Sequence, residues 1–182
     1  MGLDVRAYKN IKLVEDPKVS EVDELMQPYG GYFTEQLGEL IEGAYYDYED
    51  SNWFCRIGYG GYGHFRNELA KLGGWQKRDI PKPDFSEPDY DNKAYYHRYP
   101  YVADLYMQDG DSIEGNFVEV IIFSDCEGFF DTKHCKKLLA DFESHLDKAK
   151  EMWADNPVYL KFYNGLLDAF KFGADNGAVQ YT

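Results

Sequence analysis

The clearest periodicity in the chain lies in its last third, where apolar residues recur at helical spacing. From Cys135 to Trp153 they fall at offsets of 0, 3, 4, 7, 11, 14 and 18, which is one face of a helix held over five turns. Asp131 or Thr132 can cap this helix at its start, and Asn156-Pro157 ends it. A second stripe, from Tyr159 to Ala174, predicts another helix, and the short link makes the two helices antiparallel neighbours.

Alternating and short apolar runs predict strands elsewhere. Residues 3–14 alternate in part and predict one or two strands. The run Phe117–Phe123 is the most apolar in the chain, and its length and β-branched content predict a buried central strand. Further extended segments are indicated at residues 44–48, 53–57, 101–107 and 178–181.

Two shorter helices and a long loop complete the prediction. Thr34 could cap a helix that runs to Glu42, and residues 61–72 carry an apolar stripe that ends at Gly73-Gly74. Residues 79–100 hold four of the seven prolines among acidic residues and show no periodicity. We therefore predict a Pro- and acid-rich surface loop or insertion at about 76–100.

These elements predict an α+β fold in a single domain that spans residues 1–182. A small, mostly antiparallel sheet packs against the two long C-terminal antiparallel helices and a shorter central helix. The expected strands of that sheet are residues 3–14, 101–107, 117–123 and the C-terminal tail. Because the chain has 17 Tyr, 12 Phe and 3 Trp, its core should be rich in aromatic rings.

Charge narrows the classes of partner. With 33 acidic and 19 basic residues the net charge is −14, which repels nucleic-acid phosphates and anionic lipids. We expect no direct nucleic-acid or membrane binding. The chain has no apolar run long enough to span a membrane and no signal-peptide pattern at its start. Three cysteines without close pairing indicate reduced thiols, so we expect a cytosolic protein.

The most suggestive polar segment is Ser124-Asp125-Cys126-Glu127-Gly128, between the predicted buried strand and the long helix. Ligands often bind at the carboxyl end of a central strand, so Ser124, Asp125 and Glu127 are candidate ligand-binding residues. An ordinary strand-to-helix loop is the alternative. We expect no metal and no cofactor, because the segment lacks the spacing of a calcium loop or a zinc site.

A glycine-rich helix start is the second candidate. Tyr59 and Tyr62 flank Gly60-Gly61, and backbone amides there could receive an anion with help from Arg66. The segment matches neither phosphate-loop nor dinucleotide fingerprints, and the alternative is that glycine relieves crowding beneath the tyrosine rings. A nucleophile formed by Cys126 and a histidine, and mimicry of a phosphate backbone by clustered acids, also stay open.

Several motifs resemble a family of phage and bacterial proteins that has no established activity. They include Met1-Gly2-Leu3-Asp4-Val5-x-Ala7-Tyr8, Tyr59-x-Gly61-Tyr62-x-x-Phe65-Arg66, Phe123-Ser124-Asp125-Cys126-Glu127-Gly128 and Ala174-Asp175-Asn176-Gly177-Ala178-Val179. The resemblance covers nearly the whole chain except residues 75–115. It implies a phage or prophage setting and no particular chemistry. Asp175 and Asn176, in the last motif, are further ligand-binding candidates.

The leading hypothesis is a non-enzymatic, acidic phage accessory protein that binds a host protein or a small ligand and so blunts a host defence. The alternative is a small hydrolase or transferase whose site is the 124–128 loop. Replacing Asp125 and Glu127 by Ala would separate the two, because an enzyme would lose turnover while its fold survived.

Overall fold

A computed structural model describes residues 2–31, 34–86, 88–108, 113–123 and 127–182, and only the backbone of Tyr59. It confirms the predicted α+β class. The chain forms two compact units, one of Met1–Tyr59 with Asp125–Thr182 and one of Gly60–Ser124. Each is described by itself, and a single domain stays a prediction.

The strands and helices alternate irregularly along the chain. The strands are β1 (Gly2–Lys9), β2 (Lys12–Val14), β3 (Tyr45–Asp47), β4 (Asp50–Gly58), β5 (Gly128–Phe130) and β6 (Ala178–Tyr181). The helices are α1 (Tyr59–Gly73), α2 (Tyr90–Arg98), α3 (Pro100–Tyr106), α4 (Val118–Ile122), α5 (Thr132–Met152) and α6 (Pro157–Gly173). Within the described ranges, no helix is both long enough and apolar enough to cross a membrane.

An antiparallel sheet in the order β4-β1-β6-β5 lies at the centre of the first unit. In β1 the side chains of Leu3, Val5 and Ala7 are buried, whereas Asp4 and Arg6 between them are only partly buried, as the alternation of a strand requires. Strands β2 and β3 form a separate antiparallel pair. The strands predicted in residues 3–14, 44–48, 53–57 and 178–181 are therefore confirmed, whereas β5 was not predicted.

The two C-terminal helices are confirmed almost to their predicted ends. The carboxylate of Asp131 accepts a hydrogen bond from the amide of His134 (2.9 Å) and caps α5, and Asn156 caps α6 in the same way. Ring contacts of Trp153 with Tyr159 and Tyr163 join the end of α5 to the start of α6, so the two helices are antiparallel. Helix α6 packs on β1 and β4.

The predicted strand at Phe117–Phe123 is wrong, because Val118–Ile122 forms the short helix α4. Phe117 precedes it in the left-handed region at φ 61°, a conformation that ends any extended run. Val118, Val120 and Ile121 are buried, and a run that is buried on all sides looks the same whether it is helix or strand.

Two further predictions in the second unit are corrected. Residues 101–107 were expected to form a strand of the sheet but belong to helix α3, which Pro100 begins because its fixed φ suits the first helical position. The loop expected at about 76–100 contains helix α2, which starts just after Pro88. Helix α1 confirms the helix predicted at 61–72.

The helix predicted from Thr34 to Glu42 is much shorter than expected. Only Thr34–Leu37 forms a turn of 3-10 helix. Gly38 follows with φ at 52°, a left-handed conformation that stops the helix.

Candidate binding pocket

The residues of the predicted 124–128 site are only partly described. Ser124, Asp125 and Cys126 lie outside the described residues, as does the side chain of Tyr59. Glu127 is exposed and directly precedes β5. Ligand binding by this loop therefore stays a prediction.

Tyr62 and Arg66 lie at the C-terminal end of α4, where both side chains are buried. The hydroxyl of Tyr62 donates to the carbonyl of Phe123 (2.9 Å), and Nε of Arg66 donates to the carbonyl of Ile121 (2.8 Å). Tyr106 donates to the carbonyl of Ile122 (3.1 Å). These donors satisfy carbonyls that a helix end leaves unpaired, and a cation suits the negative end of the helix dipole. The observed contacts of Tyr62 and Arg66 are thus structural, and ligand binding by them stays a prediction.

Asp175 and Asn176 form the turn between α6 and β6. Asn176 has φ at 47°, and its side chain donates to the carbonyl of Ile11 (3.2 Å). The carboxylate of Asp175 lies 3.7 Å from Nζ of Lys9 and borders a cavity of about 380 Å³. The structure therefore places these two residues away from the pocket described next.

One cavity of the first unit lies where the edge strand β4 meets the start of α6. Its volume is about 560 Å³, inside the range of roughly 300–1,000 Å³ that small-ligand sites occupy. We name it the β4 pocket. Its lining residues come from β1, β4 and α6: Asp4, Trp53, Phe54, Cys55, Arg56, Val158, Lys161 and Phe162.

A bulge and a glycine shape this pocket. Val5 pairs with Cys55 and Arg6 with Trp53, so Phe54 is an extra residue in β4, a β-bulge of the kind that bends an edge strand. A Cβ atom at Gly165 would lie 2.5 Å from Cβ of Cys55, so glycine is needed for α6 to approach β4 there. Along α6 this contact lies between the β4 pocket and the 380 Å³ cavity, whose lining also includes Phe54.

The walls of the β4 pocket expose apolar surface. Trp53 on β4 and Val158 on α6 are 58% and 63% exposed although both are large apolar side chains. The guanidinium of Arg6 lies 5.5 Å from the Trp53 ring centroid and donates to the hydroxyl of Ser51 (2.8 Å). This cation–π contact supports the Trp53 ring from within the sheet.

The pocket is more positive than the rest of the chain. Nε of Arg56 lies 3.4 Å from the carboxylate of Asp4, the only acidic residue among the lining residues that the structure describes. Lys161 forms no ion pair with any residue that the structure describes. Two cations and one carboxylate thus line a pocket in a chain of net charge −14. An anionic group is the ligand that this lining favours.

The lining offers recognition groups and no activated nucleophile. Burial raises the pKa of the Cys55 thiol well above its usual range, and the nearby carboxylates of Asp4 and Asp168 raise it further. The thiol is therefore protonated at neutral pH, and the reactive form of cysteine is the thiolate. Among the described residues that line the pocket, no histidine is present to act as its base.

A second cavity of the first unit has the opposite charge. It measures about 770 Å³, and its acidic lining residues are Glu21, Asp23, Glu24 and Asp47. In the part of the chain that the structure describes, no cluster of three or more histidine, cysteine or acidic side chains could hold a metal ion. This cavity shares the negative charge of the whole chain and points to no particular ligand.

The sequence pattern did not single out Trp53, Arg56, Val158 or Lys161. Residues 53–57 were correctly predicted to be extended, but nothing local indicates that their strand lies at an edge.

Comparison with known proteins found no match. No protein-family model, no curated protein and no solved structure matches this chain.

Proposed function

We propose that this chain is a non-enzymatic binding protein that takes up a segment of a partner protein in the β4 pocket. The observation that carries the proposal is the exposed apolar pair Trp53 and Val158 in the lining of a cavity of about 560 Å³. Tryptophan is among the residues that dominate binding energy in protein interfaces. An exposed edge strand such as β4 is also a recurrent place for an extended peptide to bind.

The setting that we propose is the cytosol of a bacterial host, where the chain acts as a phage accessory protein and blunts a host defence. The resemblance to phage proteins supports this setting. The net charge of −14 supports a protein partner over a nucleic acid or a membrane surface. The protonated thiol of Cys55 supports binding over covalent catalysis at this pocket.

A matched pair of variants tests the proposal. Purified chain is used to select binders from a library of random peptides of about ten residues, displayed with free C-termini. Recovered peptides are then titrated against the wild type, Val158→Asp and Val19→Asp. Val158 is in the first turn of α6, where an acidic residue suits the helix dipole, so the fold should survive. Val19 is 90% exposed and outside the pocket, and it receives the same change.

We expect Val158→Asp to weaken binding by about tenfold or more and Val19→Asp to leave it unchanged. Circular dichroism of each variant confirms that the fold is intact. Peptides that bind Val158→Asp as tightly as the wild type would refute a site in this pocket. A selection that recovers no peptide would refute the proposed function itself.

A further inference from the structure

Resting on the proposed function, we infer that the partner segment carries an acidic side chain whose carboxylate binds Arg6. The site lies beside Trp53, on the face of the sheet that is turned away from α6. Arg6, Ser51 and Trp53 form it, and we name it the Arg6 surface. It adds one charged group to what the partner must present.

The register of the sheet places Arg6 and Trp53 on one face. Cys55 lies close to Gly165 of α6 and pairs with Val5, so these two strand residues mark the face that α6 covers. Arg6 follows Val5 and pairs with Trp53 across β1 and β4, and successive residues of a strand alternate between the two faces. Arg6 and Trp53 therefore share the face opposite α6.

The guanidinium of Arg6 leans over β4, the strand at the edge of the sheet. Its Nη2 donates to the hydroxyl of Ser51 (2.8 Å), and its central carbon lies 5.5 Å from the ring centroid of Trp53. The ring centroids of Tyr8 and Tyr48 lie 4.8 and 5.9 Å from the same carbon. These contacts fix the guanidinium in place before a ligand binds, which lowers the entropy cost of binding.

The charge of Arg6 has no counter-charge in the part of the chain that the structure describes. Arg6 forms no ion pair there, and its Nε is buried without a hydrogen-bond partner. Asp4, two residues away on the same face, lies 3.4 Å from Nε of Arg56. A partly buried cation without a counter-charge is costly, so an anion from outside the chain is stabilised at Arg6.

The proposed partner is a protein, and this selects a carboxylate as the anion. Asp and Glu are the anionic side chains of an unmodified protein, and a carboxylate binds a guanidinium through charge-assisted hydrogen bonds. Trp53 is 58% exposed beside Arg6, and tryptophan and arginine are the residue types that dominate protein interfaces. The net charge of −14 repels acidic segments in general, so a preference for an acidic residue reports a local cation.

The test uses the peptides recovered in the selection described above. Each is synthesised as recovered and in an amide form, with every Glu changed to Gln and every Asp to Asn, and Kd is measured by calorimetry. The proteins are the wild type, Arg6→Met and, as a second variant, Arg6→Gln. Arg98→Met, at an exposed arginine of the second unit, is the matched control. Methionine packs well against aromatic rings, and circular dichroism checks the fold of each variant.

We expect the acidic peptides to bind about tenfold more tightly than their amide forms on the wild type and on Arg98→Met. Arg6→Met and Arg6→Gln should bind both forms alike. Recovered peptides without acidic residues, or equal Kd values for both forms on the wild type, would overturn the inference and leave the proposed function standing.

Two other results would also overturn it. A preference for the acidic form that persists in both Arg6 variants would show that another residue binds the carboxylate. Sodium phosphate that displaces the peptides better than sodium acetate, at matched ionic strength, would identify a phosphate group as the ligand in place of a carboxylate.

Discussion

Asp131 is the residue whose replacement tests the described fold most directly. Its side chain is 3% exposed and makes three hydrogen bonds. The amide of His134 donates over 2.9 Å, Nδ1 of the same histidine lies 2.7 Å away, and the amide of Glu39 donates over 2.9 Å. One carboxylate therefore caps α5 and also fixes the turn after Thr34–Leu37.

The magnitude follows from these three bonds. Hydrogen bonds to a charged group contribute about 1.5–3 kcal/mol each, and loss of an N-cap costs about 1 kcal/mol. Since the bonds share one acceptor group they do not add fully, so Asp131→Ala should cost about 4 kcal/mol. Asp131→Asn should cost about 2 kcal/mol. The NH2 group of asparagine is a hydrogen-bond donor, and it would have to face another donor, either the amide of Glu39 or His134.

The pH dependence has a definite sign. Burial alone would raise the pKa of Asp131, but hydrogen bonds from His134 and Glu39 outweigh it and hold the pKa below its usual value. A carboxyl with a lower pKa in the folded state stabilises the fold above its unfolded pKa of about 3.9, and loses that contribution as pH falls. The cost of Asp131→Asn should therefore shrink between about pH 7 and about pH 3.

Urea unfolding followed by far-UV circular dichroism at both pH values measures these costs. Asp147→Asn, on the same helix with its side chain 99% exposed, is the control and should cost less than about 0.5 kcal/mol. Two results would refute the reasoning. One is an Asp131→Asn cost below about 0.5 kcal/mol at neutral pH, and the other is a cost that does not change with pH.

Two further outcomes follow from buried groups. Arg66→Met should lower the free energy of unfolding by about 3 kcal/mol, because the carbonyl of Ile121 loses its charged donor. The control Arg98→Met, at an exposed arginine, should change the free energy of unfolding little. Thermal melts measure both variants, and equal melting temperatures would contradict the helix-capping role of Arg66. Iodoacetamide should alkylate Cys55 and Cys135 much more slowly in the folded chain than in urea, because the pKa of both thiols is raised in the fold and Cys135 is also buried. Peptide mapping resolves each site, and rapid modification of either thiol in the folded chain would contradict its raised pKa.

Apolar residues at helical or strand spacing predicted most elements of the first unit. Helices α5 and α6 each bury one face, so their apolar residues repeat at helical spacing. Their N-caps can also be recognised in the sequence, as Asp131 and as Asn156 before Pro157. Strand β1 buries one face and alternates, which the sequence also displays. In each case one side of the element is more buried than the other, so apolar and polar residues recur with the period of that element.

Predictions failed where the element is buried all round or is short. Helix α4 has five residues, too few for a helical period, and burial removes the polar positions that would mark a face. The left-handed Phe117 that precedes it has no sequence signal, since glycine or asparagine is the usual residue there. Helix α3 was mistaken for a strand for the same reason, with Val102, Ala103 and Leu105 all buried in seven residues.

The β4 pocket could not be predicted because its two walls are far apart in the chain. Trp53 and Arg56 look like ordinary strand residues, and Val158 and Lys161 like the solvent side of a helix. The one local sign is Gly165, since a glycine inside a helix costs about 1 kcal/mol relative to alanine and so needs a packing reason. That reason is Cys55, whose contact with Gly165 brings α6 against the edge of β4 and leaves the pocket beside it. A glycine that destabilises its own helix while permitting this approach is the feature of the sequence from which the cavity follows.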